Sequence, residues 1–444
     1  MRPRSAFAGL LAGLLGATLV LSPAGAAPDA AVTIDHAQLA AVRDLADRNP
    51  DRYAGVVLDA DAATVRLFVR GSDRVEATKT LRSLAAAPTG SADSSLRLHL
   101  VPVRHSMRDL SATMNQVPER QPFASVAGKN LSAWYVDPAQ NKVVIGMTQV
   151  TPEARSAAAQ TFGATVDLVV MPRHRTMVRR DRIDGDKLEV RAAPRAAAER
   201  RSGPRAATVA AAPTRLLDAQ PYYGGSRIVR TYTEGGSTYV AQCTAAFTVT
   251  TTSTLRMSTA GHCGATGTAW QQGYLGGNTL YTTGSMGSMA SVQWGDGRMD
   301  AAVLSGGSYW PGAVYGGQVD TTAWGVTGQR AGTIGEVVCS DGSVTREVCG
   351  AKIHAVNACL DLNDDGTIVR VCNQTLANAI PEVGVIVQPG DSGGPVHAHV
   401  DANRVQGIGI ISGGSPNGRQ LNYTQIQNFS TTFNSYVAAG SPAQ

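Results

Sequence analysis

Two stretches of this chain carry residue types suited to covalent chemistry: Gly390-Asp391-Ser392-Gly393-Gly394-Pro395 and, far upstream, Thr259-Ala260-Gly261-His262-Cys263. A serine hydroxyl is a weak nucleophile near neutral pH. It attacks a carbonyl when a base lies within hydrogen-bond reach and a carboxylate fixes the tautomer of that base. Ser392 and His262 supply the first two groups, and two aspartates compete to be the third. Asp300 opens the apolar run Ala301-Ala302-Val303-Leu304, which reads as a short buried strand able to shield a carboxylate. Asp296 sits in Gly295-Asp296-Gly297, a turn composition in which an aspartate more often caps its own backbone. The glycines beside Ser392 fit the same chemistry. An oxyanion hole needs backbone N–H groups aimed at one point, and that backbone approach is easiest without a Cβ.

Together with Pro389, the two motifs resemble those of the chymotrypsin-like serine peptidases, in particular the secreted bacterial streptogrisin and alpha-lytic protease branch, over Pro221 to Val437. The resemblance implies a serine endopeptidase that cuts protein or peptide substrates through an acyl-enzyme, with no cofactor and no metal. It implies an all-β catalytic domain of two antiparallel six-stranded β-barrels with the triad in the cleft between them. The family order of the triad gives His262, Asp300 and Ser392, and the oxyanion hole falls to the N–H groups of Gly390 and Ser392. For Asp391 it implies a structural role in a buried ion pair, whose basic partner the sequence does not reveal. Ile386 falls at or beside the base of the primary specificity pocket, and Ser412-Gly413-Gly414 on the strand that holds the substrate backbone. No acid stands in Gly384-Val385-Ile386-Val387-Gln388 to neutralise a buried Lys or Arg. Ile411 occupies the place of a histidine carried by glutamate-selective relatives. The residue expected on the acyl side of the cut is therefore apolar.

The six cysteines, Cys243, Cys263, Cys339, Cys349, Cys359 and Cys372, all lie in the carboxyl-terminal half, which marks that half for an oxidising compartment. The resemblance implies the pairs Cys243–Cys263 and Cys339–Cys349 and leaves Cys359 with Cys372. The bridge that the family usually builds beside the specificity pocket is missing, since Ile386 stands where its first cysteine would be and no cysteine follows Ser392. The alternatives to a peptidase are an inactive binding protein that has kept the protease fold and a secreted esterase.

Length and charge divide the 444-residue chain further. Arg2 and Arg4 precede an apolar run from Ala6 to Leu21 and then Ser22-Pro23-Ala24-Gly25-Ala26-Ala27, the pattern of a secretory signal cleaved after Ala26. The product expected is extracellular, monomeric and free of the membrane once the signal is gone. Residues 1–213 carry a net charge of +8 and residues 214–444 a net −3, so the overall basicity belongs to the half a secreted protease discards. From Arg173 to Arg205 lie 11 Lys and Arg residues, including Arg179-Arg180 and Arg200-Arg201, and the run reads as an exposed linker open to processing. A nucleic-acid-binding arm is disfavoured because no aromatic residues interleave the charge.

Between signal and linker, residues 36–48 have apolar positions at helical spacing and Gly55 to Gly71 reads as a strand pair. Ala133-Trp134-Tyr135-Val136-Asp137 and Lys142-Val143-Val144-Ile145-Gly146 read as two strands, followed by a helix at Thr151 to Phe162 and a strand at Thr165 to Met171. This small α/β unit resembles the pro-region of the same protease branch, which implies an intramolecular chaperone and inhibitor. The organisation expected is a signal peptide at 1–26, an α/β pro-region at 27–172, a basic linker at 173–213 and the protease domain at 214–444, with the mature chain beginning near Tyr222. A terminal helix is expected at Thr431 to Val437, with residues 438–444 lacking order. The histidines His36, His99, His105, His174, His354, His397 and His399 have no metal-ligand spacing, and His397 and His399 are expected at the surface of a strand. Asp361-Leu362-Asn363-Asp364-Asp365-Gly366 imitates the start of a calcium loop, but Cys372 stands where the loop needs glutamate, so a solvated hairpin tip is expected.

Overall fold

The structure is a computed structural model that describes residues 32–34, 36–85, 96–183, 187–193, 213–251 and 254–442. The expected signal peptide and Arg200-Arg201 lie outside the described residues.

In the amino-terminal part, helix His36–Arg48 buries Leu39, Val42 and Ala46, the positions that share one helical face. They pack with Leu81 of helix Arg74–Ala85 and with Val65, Leu67 and Val69 of a four-stranded sheet in the order Val32–Ile34, Leu96–Val103, Thr64–Arg70, Tyr53–Asp59. A second lobe follows. Helix Met107–Gln116 starts at a capping box in which Ser106 and Asp109 satisfy each other's backbone N–H. Helix Pro152–Phe162 starts at the Thr151 cap. These helices cover a sheet of Leu131–Asp137, Lys142–Met147 and Val166–Val170, within two residues of the strands expected at 133–137, 142–146 and 165–171.

In the carboxyl-terminal part, short strands with gly-rich turns build two curled sheets. One closes on itself as a ring of six: Val337–Gly342, Arg346–Asp364, Thr367–Ala379, Gln420–Gln425, Arg404–Gly414 and Pro395–His399, which pairs back to the first. The other runs from Thr248–Thr251 through Thr254–Thr259, Ala301–Ser305, Thr279–Gln293, Ala269–Gly276 and Arg227–Glu234 to Ser237–Thr244. Its inner face carries Ile228, Ala241, Met257, Trp270, Met286, Met289 and Leu304. The catalytic motifs lie on loops between the two sheets, where loops can aim side chains while the barrels hold their ends.

The two parts are joined. Trp134 pairs with Cys359 and Ala133 with Leu360, so the three-stranded sheet of the second lobe continues into the long hairpin 346–379. Three sequence expectations need correction. The basic segment is not a free linker in residues 173–193: Arg175–Thr176, Arg179–Ile183 and Glu189–Ala192 are strands paired to the catalytic part, although the last keeps its side chains exposed. Composition suggested exposure because few of these side chains are apolar, but strand addition draws on backbone groups that every residue carries. The terminal helix spans Ile426–Phe433, and Tyr436–Val437 is a strand paired with Val249 and Thr250. The chain end described is also anchored, as Gly440 N–H donates to the Val326 carbonyl at 2.9 Å and Trp310 Nε1 to the Ser441 carbonyl at 2.8 Å.

Candidate active site

Strand Thr254–Thr259 delivers the chain into the single turn Gly261–Cys263, and the Cys243–Cys263 disulfide ties that turn to the end of strand Ser237–Thr244. Asp300 stands directly before strand Ala301–Ser305 and is fully buried. Ser392 lies in the loop that enters strand Pro395–His399. Gly393 adopts φ +84°, and a Cβ there would stand 2.1 Å from Thr259 Oγ1, so only glycine lets the serine loop approach the histidine loop this closely.

The three side chains form one hydrogen-bonded line. Ser392 Oγ lies 2.7 Å from His262 Nε2, and His262 Nδ1 lies 2.6 Å from Asp300 Oδ2. Asp300 also accepts from the backbone N–H of His262 at 3.0 Å and from the Ser412 hydroxyl. With Nδ1 facing a carboxylate, the tautomer that leaves Nε2 free to accept is favoured, which is what a base for Ser392 requires. Trp294 covers the imidazole with ring centroids 5.2 Å apart. Asp296 is elsewhere: its side chain is 91% exposed, its φ is +52° and its partner is Arg298 at 3.3 Å.

Met177 brings a peptide to this line. Its carbonyl oxygen accepts from Gly390 N–H at 2.5 Å and from Ser392 N–H at 3.3 Å. Arg175 pairs with Gly414 and Thr176 with Gly413. A Cβ on Gly413 would come within 2.3 Å of the Arg175 carbonyl, so the glycine is what admits the peptide backbone. The Met177 side chain is fully buried in one apolar cluster with Ile386, Val387 and Ile411. The residues singled out in the sequence for substrate contact, Ile386, Ser412, Gly413 and Gly414, therefore surround this segment or, for Ser412, donate to Asp300.

Asp391 differs from its expected buried ion pair. No cation lies within salt-bridge reach among the described residues; the carboxylate accepts from Val344 N–H at 2.8 Å, Thr345 N–H at 3.0 Å, Gln388 N–H at 2.7 Å and the Thr345 hydroxyl. Complete burial pushes its carboxyl up and these donors oppose that push. Arg227, in the same region, is driven down to about 10 by its own burial. The buried ion pair forms nearby instead, between Arg215 Nη1 and Asp341 Oδ1 at 2.7 Å.

The sulfurs of Cys243 and Cys263, Cys339 and Cys349, and Cys359 and Cys372 are bonded. His397 is fully buried rather than at a surface, packed against Asp341 and Glu347, whereas His399 on the same strand stays exposed as expected. It meets His399 and Glu347 beside Cys339, a grouping that sequence spacing did not reveal because its members come from three strands. Cys339 is held in its disulfide and His399 Nε2 faces Glu347 Oε1, so the cluster is already internally engaged.

Sequence reasoning missed Ser412 as a donor to Asp300, Trp294 as the cover of His262, Met177 as the residue whose carbonyl meets the Gly390 and Ser392 N–H groups, and Asp364 as the acceptor from Thr176 and Arg180. The glycines after Ser412 were the available signal for the first. Met177 lies in an arginine-rich run with no motif.

A family model for the alpha-lytic protease prodomain matches residues 105–167. Streptogrisin-C of Streptomyces griseus is 26% identical over 374 residues, which is 82% of this chain and 60% of the relative. Serine protease 1 of Rarobacter faecitabidus is 27% identical over 286 residues, 63% of this chain and 39% of the relative. The chain thus spans less than two thirds of the length of either. Among solved structures, Thermobifida fusca protease A is 23% identical with a TM-score of 0.37, covering 49% of this chain and 98% of that one. Helix 107–116, strands 131–137 and 142–147 and helix 152–162 are the elements inside the prodomain match, and strand 166–170 begins at its end. By this match and its streptogrisin-C homology, the chain is a streptogrisin and alpha-lytic protease-like protein with a pro-region.

Proposed function

We propose that the protein is a secreted serine endopeptidase made as a zymogen, with Ser392 as nucleophile, His262 as general base and then acid, and Asp300 as the carboxylate that orients it. The observation that carries this reading is the Met177 carbonyl held by Gly390 and Ser392 N–H groups beside the Ser392–His262–Asp300 line. Ser392 Oγ adds to a substrate carbonyl as its proton passes to His262 Nε2. The two N–H groups stabilise the negative oxygen that develops, His262 protonates the leaving amine, and water then hydrolyses the acyl-enzyme. No cofactor enters this scheme.

The pocket supports an apolar residue on the acyl side of the cut. Met177 occupies it among Ile386, Val387 and Ile411, and a cation or carboxylate would lose its hydration there without a partner. The domain reading follows: signal 1–26, pro-region 27–172 acting as folding aid and inhibitor, and a catalytic part from 214, where Arg215 is already fully buried. Extracellular location is supported by the apolar leader and the disulfides; no helix among the described residues is long and apolar enough to cross a membrane.

Ser392→Ala should lower casein hydrolysis by several powers of ten and abolish fluorophosphonate labelling. Normal turnover by that variant would overturn the assignment. Asp300→Asn should cost nearly as much, and Asp296→Asn should leave the rate within about twofold.

A further inference from the structure

One extended peptide crosses the cleft on both sides of Ser392. Arg175–Thr176 runs antiparallel to Gly413–Gly414, and Arg179–Ile183 runs antiparallel to Thr238–Gln242, with Arg179 opposite Gln242. Between the two ladders, the Met177 carbonyl is the acceptor that Gly390 and Ser392 N–H groups share. The Met177 side chain fills the pocket, its Cε 3.1 Å from where a Cβ on Gly414 would stand. Both flanks of the bond also meet the tip of hairpin 346–379. Asp364 accepts from the Thr176 hydroxyl at 2.9 Å on one side and from Arg180 Nη2 at 3.0 Å on the other, and Asp365 lies 3.7 Å from Arg180 Nη1. The expected solvated tip is thus a wall of the cleft. Beyond it, Ile183 and Leu188 pack against Val229, Val240 and Leu280, which anchors the far end.

We propose that Met177–Val178 is the bond this chain cuts in itself, and that Asp364 with Asp365 forms an acidic subsite selecting a basic residue at the third place after the cut, here Arg180. The proposal rests on the serine peptidase reading and adds to it a substrate sequence. Ser392 Oγ bonds to the Met177 carbonyl carbon while its proton moves to His262 Nε2. The Met177–Val178 C–N bond breaks as that proton passes to the Val178 nitrogen, which leaves as the new amino terminus. Water then adds to the Met177 ester, and release of the Met177 carboxylate restores the Ser392 hydroxyl.

The test is a time course of the full-length chain read by intact mass and terminal sequencing, with casein hydrolysis followed in parallel. The expected result is a fragment ending at Met177, absent from the Ser392→Ala chain, and a cut slowed roughly tenfold by Arg180→Ala and much less by Arg180→Lys. The released enzyme should cleave peptides with Arg at the third place after the cut roughly tenfold faster than those with Ala, a preference erased by D364N/D365N. A chain that hydrolyses casein while the 177–178 bond stays intact overturns the cut site and leaves the peptidase reading standing. A chain that does neither overturns that reading as well. Cleavage at 177–178 with no dependence on Arg180 and no Arg preference in peptides overturns the acidic subsite.

Discussion

Where strand Leu131–Asp137 meets hairpin 346–379, two residue pairs make the ladder and side chains make the rest of the joint. Trp134 and Val136 share one apolar cluster with Cys359, while Ala133 and Tyr135 share another with Ala355, Leu360 and Val371. Arg370 lies 4.9 Å over the Trp134 ring. Where residues 175–183 cross the cleft, backbone ladders do most of the holding and several side chains, Arg179 and Arg182 among them, face solvent. The two attachments do different work. Apolar packing is strong and tolerant of small shifts, so it suits holding a domain in place. A ladder fixes each carbonyl to within a hydrogen bond and accepts almost any side chain, so it suits aiming one peptide bond.

That contrast can be broken at either end. The largest effect is expected at Trp134, whose truncation in a Ser392→Ala background should cost about 3 to 5 kcal/mol in chemical denaturation, the usual range for losing a buried aromatic. Amides of Cys359 and Leu360 should lose exchange protection while Arg179–Ile183 keeps its own; uniform loss along both would show that the two attachments are one.

Gly413→Ala tests the other end. Its Cβ would meet the Arg175 carbonyl, so roughly 1 to 3 kcal/mol of local stability should go from residues 175–177 with the Trp134 joint unchanged, as read by amide exchange.

Acidification probes a third point of contact. Burial drives His354 down to about 4 and also lowers His174. His354 packs edge-on to Tyr135, ring centroids 5.7 Å apart, and Asp137 only partly offsets its burial. His354 is neutral in the assembled form above about 4 and takes up a proton when released. Association is therefore undiminished above the ordinary histidine pKa and weakens as pH falls from there toward about 4, by up to about tenfold per unit for His354, and the lowered His174 acts in the same direction. Binding of pro-region to the Ser392→Ala catalytic part, titrated from pH 7 to 4.5, should show the loss, and His354→Phe should reduce its slope. The smallest effect is expected from Arg191→Ala, on a strand whose side chains are exposed throughout: less than about 0.5 kcal/mol, because its ion pair with Glu189 faces water.

The sequence alone determined what depends on residue type at short range. Ser392 stands out because the backbone approach around it needs glycines, His262 because its motif resembles that of one peptidase family, and Asp300 because a shielded carboxylate needs an apolar run beside it. The strands at 131–137 and 142–147 were legible as short apolar runs on either side of a polar turn, and the structure buries them almost throughout, as it does the inner face of helix 152–162. Tertiary structure decided what depends on strand pairing between distant segments. A ladder needs only N–H and C=O groups, so nothing in Arg175-Thr176-Met177 marks the residue whose carbonyl meets the Gly390 and Ser392 N–H groups. Asp391 takes backbone donors instead of a cation, and His397 comes to face Glu347, because ring closure brings together strands whose order in space the local sequence does not encode.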